Sequence, residues 1–186
     1  MSAQSPFVVT YPAAERAILG TSGIFFVNGA MIGSLSTHFA VMKARLGVDP
    51  ATFSMVLMSM AVGAIVMMSL SSLLLRRFGS APVVLATALM TPMMFILPVV
   101  ADGPILTALA LFLLGASNGL MDASMNVHAS ASERAAGRLA MARIHAMWSF
   151  GGILGSVAAG YALSRISALS HAGLQAAFLM GASLLF

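Results

Sequence analysis

The chain has 186 residues, of which 60% are apolar and 8% are charged, and its mean hydropathy is +0.99. Soluble domains have about 25% charged residues, so this composition excludes an ordinary soluble domain and predicts lipid as the solvent for most of the surface. The basic residues behind the net charge of +4 are spread in small groups between apolar runs, which argues against a nucleic-acid partner. The absence of cysteine leaves no disulfide or thiolate site, and we expect no cofactor and no metal.

Six apolar stretches follow residues 1–16, which are predicted to be a cytoplasmic N-terminal segment. A helix rises about 1.5 Å per residue and needs about 20 residues to cross the hydrocarbon core. The predicted spans are residues 17–42, 51–75, 80–101, 104–128, 140–165 and 172–186. The sixth offers only about 22 Å of helix, so we expect the chain to end inside a truncated last helix. The predicted fold is an all-α transmembrane bundle.

Lysine and arginine in the connections predict the orientation, because cytoplasmic loops carry an excess of these residues. With the N-terminus inside, the cytoplasmic set is Arg16, Arg76, Arg77, Arg134, Arg138 and Arg143, and the outer set is Lys43, Arg45 and Arg165. This distribution predicts a multi-pass protein of the cell (inner) membrane with a cytoplasmic N-terminus.

The first and fourth spans contain similar segments. Residues 28–34 (NGAMIGS) resemble residues 118–124 (NGLMDAS), an offset of 90, and the second and fifth spans align at an offset of 88. Three crossings separate the paired spans, so the two triplets would face opposite ways in the membrane. Such inverted three-helix repeats are typical of secondary transporters. The alternative is that any two apolar, glycine-rich helices look alike.

Glycines also recur four residues apart within three of the spans. These pairs are Gly29 and Gly33, Gly115 and Gly119, and Gly151 and Gly155. Small residues at this spacing allow helix backbones to approach closely. They predict a tightly packed bundle and identify no substrate.

Three polar residues form a stripe on the fourth span. Asn118, Asp122 and Asn126 lie at positions i, i+4 and i+8 of a helix, and therefore share one face. A carboxylate facing lipid is costly, so this face should line the bundle interior or water. Asp122 is a candidate to bind a coupling proton or to anchor a polar substrate. The alternative is that it pairs with an arginine at the cytoplasmic end.

The first and fifth spans contribute further polar candidates. His145 and Ser149 share a face of the fifth span with Trp148 beside them, where His145 could relay protons and Trp148 could stack on a sugar ring. The alternative for these two is a satisfied interior histidine and an interfacial tryptophan. Asn28 lies in mid-span, and His38 is predicted at the membrane interface.

Three stretches resemble a known family. The loop Ser72–Ser80 resembles the cytoplasmic signature of the major facilitator superfamily at Leu74, Arg77 and Gly79. Residues 119–126 and 145–152 look like the fucose-permease-like branch, whose proton-coupled members carry an acid one turn before an asparagine, as at Asp122 and Asn126. Those members also carry an acid on the first helix, where this sequence has Ser34, Ser36 and Thr37. The resemblance implies the N-terminal six-helix half of a twelve-helix carrier.

The expected function is therefore a secondary permease that moves a small polar solute, such as a sugar, by symport with protons. The predicted cavity residues are Asn28, Asn118, Asp122, Asn126, His145, Trp148 and Ser149. The expected partners are the solute, protons, the lipid bilayer, and a missing C-terminal half or a second copy. One alternative is a six-helix membrane protein that oligomerises and transports nothing. Another is an intramembrane serine protease, with Ser22 as nucleophile and His145 as base.

Overall fold

The computed structural model of the chain describes residues 11–186, with side chains described from residue 15 onward. The beginning of the predicted N-terminal segment, residues 1–10, lies outside the described residues. The described part is built from helices: α1 (Tyr11–Leu46), α2 (Pro50–Phe78), α3 (Ser80–Met94), α4 (Ile96–Val100), α5 (Gly103–Ala136), α6 (Met141–Leu163) and α7 (Ala168–Ser183).

The described residues contain five helical stretches that are long and apolar enough to cross a membrane. They are Glu15–Leu46, Pro50–Phe78, Ser80–Val100, Gly103–Ala136 and Met141–Leu163. This confirms the prediction of an all-helical bundle with several membrane-spanning elements. The sixth predicted span corresponds to α7, which has 16 residues and begins at Ala168, behind the Ser167 side chain that accepts from the backbone N–H of Ser170.

The third predicted span is interrupted near its end. The structure divides it into α3 and the short α4, with Phe95 between them. Pro98 has no backbone N–H, so the carbonyl of Met94 cannot receive the usual helical bond, and the proline ring crowds that carbonyl. Pro92 lies inside α3 without ending it. Proline is tolerated inside helices of a membrane bundle, because neighbouring helices can satisfy the backbone groups that it frees.

Side-chain and backbone contacts define the directions of the helices. α1 and α6 run parallel, as do α2 and α5, because their close contacts advance together along both chains. α1 is antiparallel to α5, because Asn28 contacts Asn118 whereas the earlier residue Thr21 contacts the later residue Ser132. α1 is also antiparallel to α7, because Ser34 contacts Gln175 whereas the later residue His38 contacts the earlier residue His171. We call the end of the bundle at which α1 terminates the Leu46 end, and the opposite end the Glu15 end.

Glycines bring the two parallel pairs into backbone contact. A methyl group on Gly29 or Gly33 would overlap the carbonyl of Trp148 or Gly152 on α6, and one on Gly115 or Gly119 would overlap the carbonyl of Met60 or Ala64 on α2. The two sets of contacts correspond to each other. The glycines of α5 lie 86 residues after those of α1 (115 − 29 and 119 − 33). The corresponding offset for α2 and α6 is 88 (148 − 60 and 152 − 64).

These contacts correct the register of the internal repeat. The sequence comparison equated Asn28 with Asn118 at an offset of 90, whereas the backbone contacts equate Gly29 with Gly115, one helical turn away. In the structure Asn28 and Asn118 therefore meet as partners rather than as equivalent positions. The physical reason is that glycines recur every four residues on these helices, so a one-turn shift preserves most of the sequence match.

The helices differ in how much of their surface is buried. In the apolar stretches of α1 and α5, half or more of the residues are buried, whereas few residues are buried in those of α2 and α6. The exposed side chains on α2 include Met55, Met58 and Ile65, and those on α6 include Ile153, Val157 and Tyr161. Such large apolar side chains need lipid or another protein surface as a partner. α2 and α6 therefore present two open apolar faces of the bundle.

Candidate functional site

A hydrogen-bonded network centred on Asn28 joins three helices. Asn28 lies on α1 with 2% of its surface exposed. Its side-chain Nδ2 donates to Oδ1 of Asn118 on α5 at 2.8 Å and to Sδ of Met121 at 3.3 Å. Its Oδ1 accepts from Nε1 of Trp148 on α6 at 2.9 Å. A buried amide is stable in apolar surroundings when its donors and acceptor are matched, so this network fixes α1, α5 and α6 relative to one another.

Asp122 and Asn126 form a half-buried pair one turn further along α5 from Asn118. Nδ2 of Asn126 donates to the backbone carbonyl of Asp122 at 2.9 Å and to its carboxylate Oδ1 at 3.2 Å. The predicted stripe of three polar residues on one face of α5 is therefore continuous. A carboxylate in this position keeps one oxygen free to bind a proton or a hydroxyl group.

Two of the arginines that were alternative partners for Asp122 bind elsewhere. Arg138 forms an ion pair with Glu15 at 2.5 Å, and Nη1 of Arg134 donates to the hydroxyl of Ser130 at 2.6 Å. Glu133 accepts from the backbone N–H groups of Ala140 and Met141 at 2.6 and 2.7 Å, and so caps the start of α6. The described hydrogen bonds of Asp122 are to Asn126 on its own helix, and none is to an arginine.

The predicted residues of the fifth span lie on an open face of α6. His145 and Ser149 are exposed, and Trp148 is 37% exposed although its indole N–H is bound to Asn28. Nδ1 of His145 lies 3.0 Å from the carbonyl of Met141, and its ring meets Phe25 edge-on at 5.2 Å. The open face of α6 and the stripe on α5 thus meet beside Asn28.

The loop between α2 and α3 contains the residues that resemble the superfamily signature. Gly79 has φ +79°, which a residue with a Cβ rarely adopts, and its N–H donates to the carbonyl of Leu75 at 3.0 Å. The guanidinium of Arg77 lies over the ring of Phe78 at 5.3 Å from its centroid, and Leu74 is half-buried on α2. The glycine of the signature is therefore required by the turn itself.

A second buried polar cluster, on α1 and α7, was missed by sequence reasoning. His38 was predicted at the membrane interface, but it is fully buried, and its Nε2 lies 2.9 Å from Nδ1 of His171. One turn away, the hydroxyl of Ser34 donates to Oε1 of Gln175. The only sequence signal was the spacing: Ser34 and His38, like His171 and Gln175, are four residues apart and share a helix face.

The serine of the alternative protease reading has an ordinary helical environment. Ser22 is 7% exposed, and its hydroxyl donates to the carbonyl of Ile18 at 2.7 Å. This bond to the preceding turn is common for serine in membrane helices. Within residues 15–186, no three histidine or acidic side chains come together in a way that could hold a metal ion.

Three curated proteins are similar in sequence to this chain. An uncharacterized MFS-type transporter of Yersinia pestis is 30% identical over 132 residues, which cover 71% of this chain and 34% of that protein. An uncharacterized transporter, y4wD, of Sinorhizobium fredii is 33% identical over 147 residues, 76% of this chain and 37% of the relative. The membrane protein MosC of Rhizobium meliloti is 30% identical over 148 residues, 80% of this chain and 36% of the relative.

The aligned part of the chain spans about a third of the length of these relatives. No family model matches the chain, and no solved structure matches it. The apolar helices, together with relatives that are named as transporters or as a membrane protein, support a multi-pass membrane protein.

Proposed function

We propose that this chain forms the N-terminal six-helix half of a major facilitator transporter, of the fucose-permease-like branch, that moves a small polar solute such as a sugar. Transport would proceed by alternating access, in which this half rocks against a second six-helix wall. The proposal is supported by the relatives named as transporters and by the residues of the α2–α3 loop and of α5 and α6 that resemble that family.

The observation that carries the proposal is the polar surface beside Asn28. Amide groups of Asn118 and Asn126 and the carboxylate of Asp122 lie on α5 beside the buried Asn28, in a chain with only 8% charged residues. Polar side chains inside membrane bundles are costly and mark solute or ion pathways. Hydroxyl groups of a sugar match such donors and acceptors, and Trp148 offers a ring face for stacking.

Asp122 is the proposed proton acceptor of this surface. It is the acidic side chain in the interior part of the described helices, and Asn126 holds one of its oxygens. Protonation of Asp122 would remove a negative charge from the cavity and so change the affinity of the cavity for water and solute. A proton gradient could drive transport through this change in affinity.

The second wall of the cavity would dock on the open apolar faces of α2 and α6. These faces flank His145, Trp148 and Ser149, which are exposed in the described bundle. The wall would be a C-terminal half or a second copy of this chain. We place the protein in the cell (inner) membrane with its N-terminus in the cytoplasm, because the Glu15 end has the larger number of arginines.

Uptake of radiolabelled hexoses by membrane vesicles that contain the full-length carrier tests the proposal. We expect uptake driven by an inward proton gradient in the wild type. Asp122→Asn should lose accumulation but retain exchange of labelled for unlabelled sugar, because only the coupling step needs the carboxylate. Asn118→Ala should weaken both, because it removes a solute contact.

Ser164→Ala is the matched control, since Ser164 lies exposed at the end of α6 and its hydroxyl donates to the carbonyl of Tyr161 in the same helix. It should transport like the wild type. Proton-driven accumulation that is unchanged in Asp122→Asn would overturn the coupling role. The absence of uptake for every hexose would overturn the sugar as solute.

A further inference from the structure

The buried cluster between α1 and α7 contains a pair of histidines bound to each other. Nε2 of His38 lies 2.9 Å from Nδ1 of His171, and the rings are tilted by 32°. His38 is fully buried and His171 is 9% exposed. The nearby Ser34–Gln175 hydrogen bond links the same two helices one turn away. We call His38 and His171 the histidine pair.

The chemistry of two imidazoles leaves one free place for a proton. A neutral imidazole has one N–H and one nitrogen lone pair. The bond between the rings uses one N–H and one lone pair, so one of each remains, on Nδ1 of His38 and Nε2 of His171. Nδ1 of His38 is buried with no hydrogen-bond partner. An added proton takes the remaining lone pair and gives a cation that both rings share.

The surroundings of the histidine pair hold it neutral in the closed bundle. Phe95 meets His38 edge-on at 5.0 Å, and none of the described hydrogen bonds or ion pairs of either histidine involves a carboxylate. The helices around the pair and their connections carry four charged groups toward the Leu46 end, namely Lys43, Arg45, Asp102 and Arg165. Arg45 is bound to the carbonyls of Pro98 and Val99, and Arg165 lies over the ring of Tyr161. A cation at the pair would therefore be costly without water.

A cavity offers water a path to the pair. It has a volume of about 390 Å³, lies between α1, α6 and α7, and has His171, Gln175 and Ser34 in its wall. The rest of its lining is apolar, so only these side chains could hold water there. Movement of α7 away from α1 would join this cavity to the buried face of His38.

We propose that the histidine pair is a proton-binding site that holds α1 against α7 while it is neutral, and that proton uptake separates the two helices at the Leu46 end. Protonation leaves the bond between the rings in place but adds a charge and an N–H group on an outer nitrogen, and Nδ1 of His38 has no partner in the described bundle. The protonated pair therefore requires water, which opening of the two helices would supply. Proton binding and opening are thereby linked. This inference rests on the proposed transporter function, because it names a second proton acceptor in the same bundle.

Spin-label distances test the opening directly, since the chain has no cysteine of its own. One label pair, Val41→Cys with Leu169→Cys, is placed on exposed sites of α1 and α7 near the histidine pair. The control pair, Met55→Cys with Ile105→Cys, is placed on exposed sites of α2 and α5 at the same end. Lowering the pH from about 7.5 to about 4, through and below the usual range of histidine because burial disfavours the cation, should lengthen the first distance reversibly and leave the second unchanged.

Substitutions at the histidines identify the group responsible. His38→Gln and His171→Gln should each abolish the pH-dependent lengthening. His128→Gln should keep it, because His128 lies on α5, 3.2 Å from the hydroxyl of Ser80. A distance that does not depend on pH, lengthening that survives in His38→Gln, or equal lengthening of the control pair would each overturn the proposal.

Nitrogen NMR of the wild-type protein labelled with ¹⁵N-histidine gives a test that does not depend on how the variants fold. We expect scalar coupling between the two ring nitrogens across the hydrogen bond, and rings that titrate together with uptake of one shared proton. Rings that titrate independently would overturn the proposal. Both measurements use purified protein without solute, so a failure of hexose uptake leaves them intact, and their failure leaves the transport test intact.

Discussion

At Asn28, one buried amide binds side chains on two other helices. Its loss would leave Oδ1 of Asn118 and the indole N–H of Trp148 without their partner inside an apolar bundle. An unsatisfied buried polar group costs about 1–3 kcal/mol. We therefore expect Asn28→Ala to lower the free energy of unfolding by about this amount, as measured by thermal unfolding in detergent.

Fluorescence gives a local readout of the same change, because Trp148 is the single tryptophan of the chain. Release of the indole N–H should make Trp148 more accessible to acrylamide quenching in Asn28→Ala. Asn126→Ala is the matched control, since Asn126 bonds only to Asp122 among its described contacts. Equal quenching in wild type and Asn28→Ala would show that the network does not hold Trp148 in place.

Asp49 makes a pH-dependent contribution at the start of α2, outside the membrane-spanning segments. Its carboxylate accepts from the hydroxyl of Thr52 at 2.5 Å and from the backbone N–H groups of Ala51 and Thr52 at 2.9 and 3.2 Å. The Thr52 hydroxyl, followed by its N–H, lowers the pKa of Asp49 below its ordinary value. A lowered pKa means that the stabilisation is present above the ordinary pKa and is lost as the pH falls through the lowered one.

Asp49→Asn should therefore lower the melting temperature at neutral pH by a small amount, since the site is exposed and screened by solvent. The difference from wild type should disappear at a pH below the lowered pKa of Asp49. Thermal unfolding across this pH range measures it. A difference that grows as the pH falls would contradict the sign of the linkage.

At the scale of helices, backbone contact at glycine holds the parallel pairs together. A Cβ on Gly33 would overlap the carbonyl of Gly152, which is backbone and cannot rotate away. We expect Gly33→Ala to destabilise the protein by about 1–3 kcal/mol, as overpacking does elsewhere. Gly115→Ala should do the same through the carbonyl of Met60, its equivalent in the repeat.

Gly160→Ala is the control for these two variants, because nothing lies within 4 Å of a Cβ at that position on α6. Its melting temperature in detergent should equal or slightly exceed that of the wild type. Equal melting temperatures for Gly33→Ala and Gly160→Ala would contradict the close approach of α1 and α6.

Hydropathy was sufficient to predict an all-helical bundle with several long apolar helices, because lipid imposes such helices. It could not locate the break at Phe95 or show that α5 continues to Ala136, since helical hydrogen bonding depends on proline positions and caps rather than on polarity. The stripe on α5 was predictable from spacing within one helix. The histidine pair was not, because it depends on the register between α1 and α7, which are far apart in the sequence.

At the scale of the whole molecule, the bundle has two ends of unequal charge. The structure places the termini of α1, α2, α5 and α6 so that Arg16, Arg76, Arg77, Arg134, Arg138 and Arg143 lie toward the Glu15 end, and Lys43, Arg45 and Arg165 lie toward the Leu46 end. Arg45 has a structural role, because it binds the last carbonyls around α4.

This asymmetry predicts that the Glu15 end faces the cytoplasm. The cysteine-free chain allows a direct measurement with two matched variants, Ala44→Cys at the Leu46 end and Ala135→Cys at the Glu15 end, both at exposed positions. A membrane-impermeant maleimide added to spheroplasts should label Ala44→Cys, and should label Ala135→Cys only after the membrane is permeabilised. The reverse pattern would place the N-terminus outside, and would also reverse the side of the membrane from which protons reach the histidine pair.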